Sequence, residues 1–210
     1  MNEKTAKEAT KEVVEALKCI LDAQTGLKRK EDCKPIVKAP IIRFCKIARE
    51  TEQKVRKEDP SYDISRFLGA SPRDRKKIGV VCNCQSDFPK CDDAEKARSR
   101  AVQAFEREGF EEYSRRMEEY SEKDEECRNS VVEAIREKPI EKCEDWSHLV
   151  GAFETMRDWM HVSGYAVPDY VWVVPRRMRE KVKHIFDDLS SQKIRSSKDL
   201  EQLSKEVDKW

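Results

Sequence analysis

Eight cysteines and three histidines are the residues of this chain with the most chemistry to offer. The densest group is Cys82-Asn83-Cys84, followed closely by Cys91. Thiolates gathered in this way bind zinc, and Cys127, Cys143 or His148 would complete a tetrahedral set. The spacing departs from the paired C-X2-C arrangement of common zinc sites. A C-X-C unit also commonly sends its two sulfurs to separate disulfide partners. Three states are therefore open: disulfides, reduced structural thiols and bound zinc. The remaining cysteines are Cys19, Cys33 and Cys45, and none follows Cys143. An even, clustered count on a thin-cored chain fits disulfides best. Cys127 and Cys143 flank Pro139, which makes a bridge between them a candidate, while Cys19 has both Cys45 and Cys33 as local candidates. Spacing alone does not choose the pairing.

Other chemistry is thinly represented. His148, His161 and His184 read as helix-surface or helix-end residues, and Ser163 beside His161 lacks the strand-turn-helix setting of a nucleophile. No glycine-rich phosphate loop, HExxH pair or paired acidic site is present. Catalysis is the least supported class, and no cofactor or metal is expected.

The elements that position these residues are helices. Charged residues make up 40% of the chain and the apolar set 38%, with 43 basic against 42 acidic side chains. A nucleic-acid binder shows a basic excess, so that class is set aside. Balanced charge fits solvated helix faces laced with i,i+4 pairs. No run reaches the roughly 18 apolar residues of a membrane span.

The spacing of Val13, Ala16, Leu17, Ile20 and Leu21 predicts a helix over 5–24, capped by Thr5 and Glu8 and stopped at Gly26. A second helix is expected from Pro40 to Asp59, making 1–59 a helical hairpin. Residues 60–91 break the rhythm with three prolines, two glycines and three cysteines. Here Ser71 starts a short helical turn that Gly79 ends, and the rest is an ordered, stapled excursion. Residues 92–138 then predict one very long helix. Phe110, Tyr113, Met117, Tyr120, Cys127, Val131 and Ala134 follow its heptad seam, Asp124 interrupts them, and Gly109 marks a bend. About 45 residues would reach roughly 65–70 Å, the length of a rod. Over 139–210 shorter helices follow, with Leu149, Phe153 and Met156, then Met178, Ile185 and Leu189, then Leu200, Leu203 and Val207 inward. The aromatic stretch Tyr165–Trp172 lies between two of them. The basic run from Arg176 to His184 keeps helical apolar spacing, so it reads as a basic outer face. The fold class is all-α: an elongated antiparallel bundle of about three long helices, stapled by disulfides, forming a single domain.

Recognition is expected on the excursion, because irregular segments held by a rigid frame carry binding. Phe67, Leu68, Ile78 and Phe88 would supply apolar anchors, and Arg73, Arg75, Lys76 and Lys77 a polar rim.

The placement of Cys19 late in the first helix, the run Phe44-Cys45-Lys46-Ile47-Ala48 on the second, the cysteine-rich excursion and the long third helix resemble the membrane-distal ectodomain of trypanosome invariant surface glycoproteins. The resemblance spans residues 1–143. It implies a surface receptor or decoy that binds host serum proteins such as immunoglobulin Fc or complement, with signal peptide and anchor outside this sequence. None of Asn2, Asn83 and Asn129 opens an Asn-X-Ser/Thr triplet, a departure from a glycoprotein. The competing expectation is an intracellular helical scaffold or adaptor with reduced or zinc-bound cysteines.

Overall fold

The computed structural model of the chain describes residues 3–58, 71–107, 109–162, 176–190, 194 and 196–210. These residues form eight α-helices and one 3-10 turn: α1 (Glu3–Gln24), α2 (Lys30–Glu58), α3 (Pro72–Cys82), α4 (Pro89–Arg107), α5 (Phe110–Glu137), the 3-10 turn Ile140–Lys142, α6 (Trp146–Val162), α7 (Arg176–Ser190) and α8 (Ser197–Asp208). Among the described residues no strand forms; a single antiparallel bridge joins Asn83 to Pro139. The all-α expectation holds.

Helix α1 stops where its sequence says it should. Gly26 takes a φ of 77°, and the Leu27 N–H donates back to the Asp22 carbonyl at 2.8 Å, satisfying the open end of the helix. The chain then reverses into α2, which begins ten residues before the expected start at Pro40 and carries Pro35 and Pro40 internally. Each proline removes one backbone hydrogen bond. Burial on one face holds the helix together in spite of this. Cys33, Val37, Ile41 and Cys45 recur every fourth residue and are fully buried against Val13, Val14, Leu17 and Ile20 of α1. A Cys19–Cys33 disulfide closes the base of this pair, and a bidentate Arg43–Glu12 ion pair crosses it further along.

Between residues 71 and 91 the structure is more helical than the broken rhythm suggests. The Ser71 hydroxyl accepts from the Asp74 N–H as an N-cap, and α3 runs through Gly79 to Cys82. Gly79 does not end the helix. It makes room: a Cβ there would meet Phe88 Cζ at 2.7 Å, so the aromatic ring packs directly on the bare backbone.

The largest departure lies in residues 92–138. There is no rod. The chain turns back at Gly109, whose φ of 93° suits glycine and few other residues. The Gly109 N–H donates to the Ala104 carbonyl, closing α4, and α5 starts immediately after it. The reason is a second apolar stripe. Ala94, Ala97, Ala101 and Ala104 of α4 are buried and repeat with a three-four spacing. Such small side chains let α5 approach closely, and α5 buries Asp124, Cys127, Val131 and Ala134 along its own length. The α4–α5 hairpin is the most extensive helix pairing in the molecule. Towards the turn the seam loosens: Met117 and Tyr120 are only half-buried, as are Arg116 and Glu119, so the heptad assignment holds only from Asp124 onward.

Helix α3 seats this hairpin on the rest of the core, packing on α5 and α6, while α6 packs on α2. Leu149, Ala152, Phe153 and Met156 of α6 are fully buried, as expected. Met178, Ile185 and Leu189 of α7 and Leu200, Leu203 and Val207 of α8 also point inward. The last helix returns to the first. Lys11 pairs with Asp208 and Lys18 with Glu201, each at 2.8 Å, and Ser197 donates to the buried Asp22 carboxylate.

Candidate functional site

All eight cysteines are paired: Cys19–Cys33, Cys45–Cys82, Cys84–Cys143 and Cys91–Cys127. Cys82 and Cys84 take different partners, as a C-X-C unit commonly does. The Cys127–Cys143 candidate is overturned. The hairpin turn at Gly109 brings Cys91, not Cys143, to Cys127, with Cα atoms 4.5 Å apart. Four disulfides fit an extracellular or secreted protein. No helix among the described residues is long and apolar enough to cross a membrane.

Among the described residues, the expected recognition residues are split between core and surface. Phe67 and Leu68 lie outside the described residues. Phe88 and Ile78 are core residues, 1% and 2% exposed. Arg75 is buried as well. Its guanidinium is ion-paired with the Asp124 carboxylate of α5, beneath Tyr120 and Arg128. A charge placed there needs its partner, because desolvating it alone is costly. Lys76 donates to both Asp92 carboxylate oxygens, at 2.7 and 2.8 Å, tying α3 to α4. Lys77 is half-buried, and Arg73 alone is exposed. Over residues 71–91 the excursion is therefore largely structural, with Arg75 and Lys76 holding α3 to the α4–α5 hairpin.

The surface with the features of an interface lies at the turn of the α4–α5 hairpin. Four large apolar side chains are more than half exposed among the described residues: Leu27, Val102, Phe105 and Phe110. A lone exposed leucine is ordinary. The other three are gathered at one turn, with Tyr113 between the two phenyl rings. Phe105 meets Tyr113 edge to face at 5.2 Å, and Phe110 lies 6.2 Å from it at a tilt of 40°. Val102, Phe105 and Phe110 are 52%, 59% and 72% exposed, which sets them apart from the core aromatics. Their position follows from phase. Val102 and Phe105 each stand one residue beyond a buried alanine, so they point beside the seam rather than into it.

The rim of the patch is charged in both signs, with exposed Glu106, Arg107, Glu111 and Arg115. Arg107 sits in the last turn of α4 and Glu111 and Glu112 in the first turn of α5, each complementing its helix dipole. Below the patch an ion-pair lattice runs from Arg115 and Arg116 through Glu112 and Glu119 to Arg100 on α4. The Arg115 guanidinium, helped by Arg116, holds the Glu112 carboxyl below the usual carboxylate range. These contacts fix the rotamers around the aromatic cluster.

His148 and His184 stay outside this surface. His184, on α7, lies 3.6 Å from carboxylate oxygens of both Asp188 and Glu206, as a surface histidine does. His148 lies beside the Cys84–Cys143 bond, and its Nε2 bonds to the Asn83 carbonyl at 2.7 Å. The side chain of His161 and the stretch Tyr165–Trp172 lie outside the described residues. Compared with known proteins, the chain matches no family model, no curated protein and no solved structure.

Proposed function

We propose that this chain is a non-catalytic extracellular or cell-surface binding protein that engages a folded protein partner through the tip of the α4–α5 hairpin. The observation that carries the reading is the exposed cluster of Phe105, Phe110 and Val102, set around Tyr113 on a disulfide-anchored helical hairpin. Rigid aromatic anchors on a held frame bind with little ordering of the protein on association. The mixed-sign rim favours a protein surface over nucleic acid or anionic lipid, both of which call for a basic excess.

The aromatic cluster alone is smaller than the roughly 800 Å² per side of a standard interface. A stable partner must therefore also touch the flanking faces of α4 and α5, where Arg100, Arg115 and Glu119 stand ready as polar contacts. The sequence resemblance to invariant surface glycoproteins directs the first trial to host serum proteins, with immunoglobulin Fc and complement as the leading partners. Cross-linking of the oxidised chain to purified Fc and to complement components tests this. Cross-links from Lys96 or Arg100-adjacent peptides of α4 and from α5 support the reading. Cross-links confined to α7 and α8 contradict it.

A further inference from the structure

We propose that the Cys84–Cys143 bond covers a Cys2His site that takes a zinc-class divalent ion once the bond is reduced. The two sulfurs and a ring nitrogen of His148 lie within 4.8 Å of one another. Tetrahedral zinc with thiolate and imidazole ligands places those atoms ~3.5–3.8 Å apart, so small side-chain rotations suffice. Cys84 is also the one cysteine that is not fully buried, while its partner Cys143 and the six others are at most 3% exposed. Thiol–disulfide exchange needs access to a sulfur, and here access exists at Cys84.

The backbone around the site stays in place when the bond opens. The Cys84 N–H donates to the Lys138 carbonyl at 2.7 Å, the Asn83–Pro139 bridge lies alongside, and the Cys143 N–H donates to the Ile140 carbonyl at 3.0 Å. The Asn83 carbonyl only accepts, so Nε2 is the protonated nitrogen of a neutral His148 ring and Nδ1 is the one left to bind a metal. A ligating histidine whose other nitrogen donates to a backbone carbonyl is the usual outer-shell arrangement at zinc. Three protein ligands leave a fourth position on the partly exposed Cys84 side for water or a substrate oxygen.

The chemistry balances with a small thiol as reductant. Its thiolate attacks Cys84 Sγ, Cys143 leaves as thiolate, and a second thiol molecule releases Cys84 and departs as the small-molecule disulfide. Zinc then displaces the two cysteine thiol protons into solvent. The inference stands apart from the hairpin tip and involves no protein partner, so each fails on its own evidence.

The test begins with the folded, oxidised chain and limiting small thiol, followed by alkylation and peptide mass spectrometry. Cys84 and Cys143 should be labelled before the other six. Native mass spectrometry of that species should then show one zinc per chain, and cobalt should give thiolate charge-transfer and tetrahedral absorption bands. The oxidised chain should bind neither ion. His148→Ala, which leaves all four disulfides available for folding, should weaken zinc binding at least tenfold. Earlier opening of another pair, no stoichiometric zinc after reduction, or equal affinity in His148→Ala would each overturn the proposal.

Discussion

Cys91 and Cys127 lie equally far from Gly109 on either side of the turn, and the disulfide between them closes the α4–α5 hairpin at its base. Phe105 and Tyr113 meet across the same turn, also at equal distances from Gly109, so the register is continuous from base to tip. The hairpin is thus a preset arm that presents its aromatic end. Opening a loop of 36 residues removes about 4 kcal/mol in the chain-entropy account. A Cys91→Ala/Cys127→Ala variant should lose stability of that order by denaturant titration and show faster amide exchange along α4. Unchanged exchange in α4 would mean that the alanine seam alone holds the arm.

The turn itself depends on one backbone conformation. Gly109 has a φ of 93° and open space where a Cβ would stand. Gly109→Ala should therefore cost about 1–2 kcal/mol through backbone strain alone, with no clash to relieve. Gly79→Ala should cost about 1–3 kcal/mol for the opposite reason, because its methyl group meets the buried Phe88 ring. Thermal melts of the two variants, together with Gly79→Ala/Phe88→Leu, separate the mechanisms. The second change should relieve part of the Gly79→Ala loss.

The buried Arg75–Asp124 pair joins the excursion to the hairpin. Asp124→Ala should destabilise the fold by about 3–5 kcal/mol, since it strands a buried guanidinium. Arg75→Met/Asp124→Leu should recover most of that loss, because an apolar pair of similar volume needs no counter-charge. A double-mutant cycle measures the coupling directly. Additive effects would show that the two charges do not interact.

The seam between α1 and α8 should respond to acid. Hydrogen bonds from Lys18 and from Lys11 hold the Glu201 and Asp208 carboxyls below the usual carboxylate range. Because the folded-state values are depressed, the seam's contribution is present above the ordinary range near ~4 and is lost as pH falls through the lowered values. The same hydrogen bonds raise Lys11 and Lys18, so that part of the contribution persists until strongly basic pH. Carboxyl NMR titration should show Asp208 moving back toward its ordinary value in Lys11→Ala. Both carboxylates are exposed and both lysines partly so, and the accompanying change in Tm should be small and should shrink with added salt.

Local features were legible in the sequence where they rest on local physics. The stop at Gly26, the start of a helix at Ser71 and the inward faces of α6, α7 and α8 all depend on neighbours a few residues away. The hairpin was not, because Phe110 fits a heptad that runs on into Tyr113 and Met117. The signal that distinguishes two helices from one is the buried series Ala94, Ala97, Ala101 and Ala104, a second seam that needs something to face. With the turn hidden, the pairing of Cys91 with Cys127 and the exposed cluster of Val102, Phe105 and Phe110 were hidden too. The pairing of Arg75 with Asp124 was hidden for a related reason. A charged residue reads as surface until its partner on another helix is known. The prolines of α2 misled as well, since the burial of Cys33, Val37, Ile41 and Cys45 outweighs their lost hydrogen bonds.

The most direct measurement compares the oxidised wild-type chain with Phe105→Ser/Phe110→Ser by surface plasmon resonance against purified immunoglobulin Fc and complement components. Both substitutions fall on exposed side chains, so melting should move by about 1 kcal/mol or less, mainly from the lost contact with Tyr113. Arg73→Glu, on the outer face of α3, serves as a control of similar exposure. The account predicts that wild type and Arg73→Glu bind at least one of these proteins alike, while the aromatic variant loses affinity at least tenfold, chiefly through faster dissociation. Equal binding by the folded aromatic variant, or no binding by wild type, would contradict it.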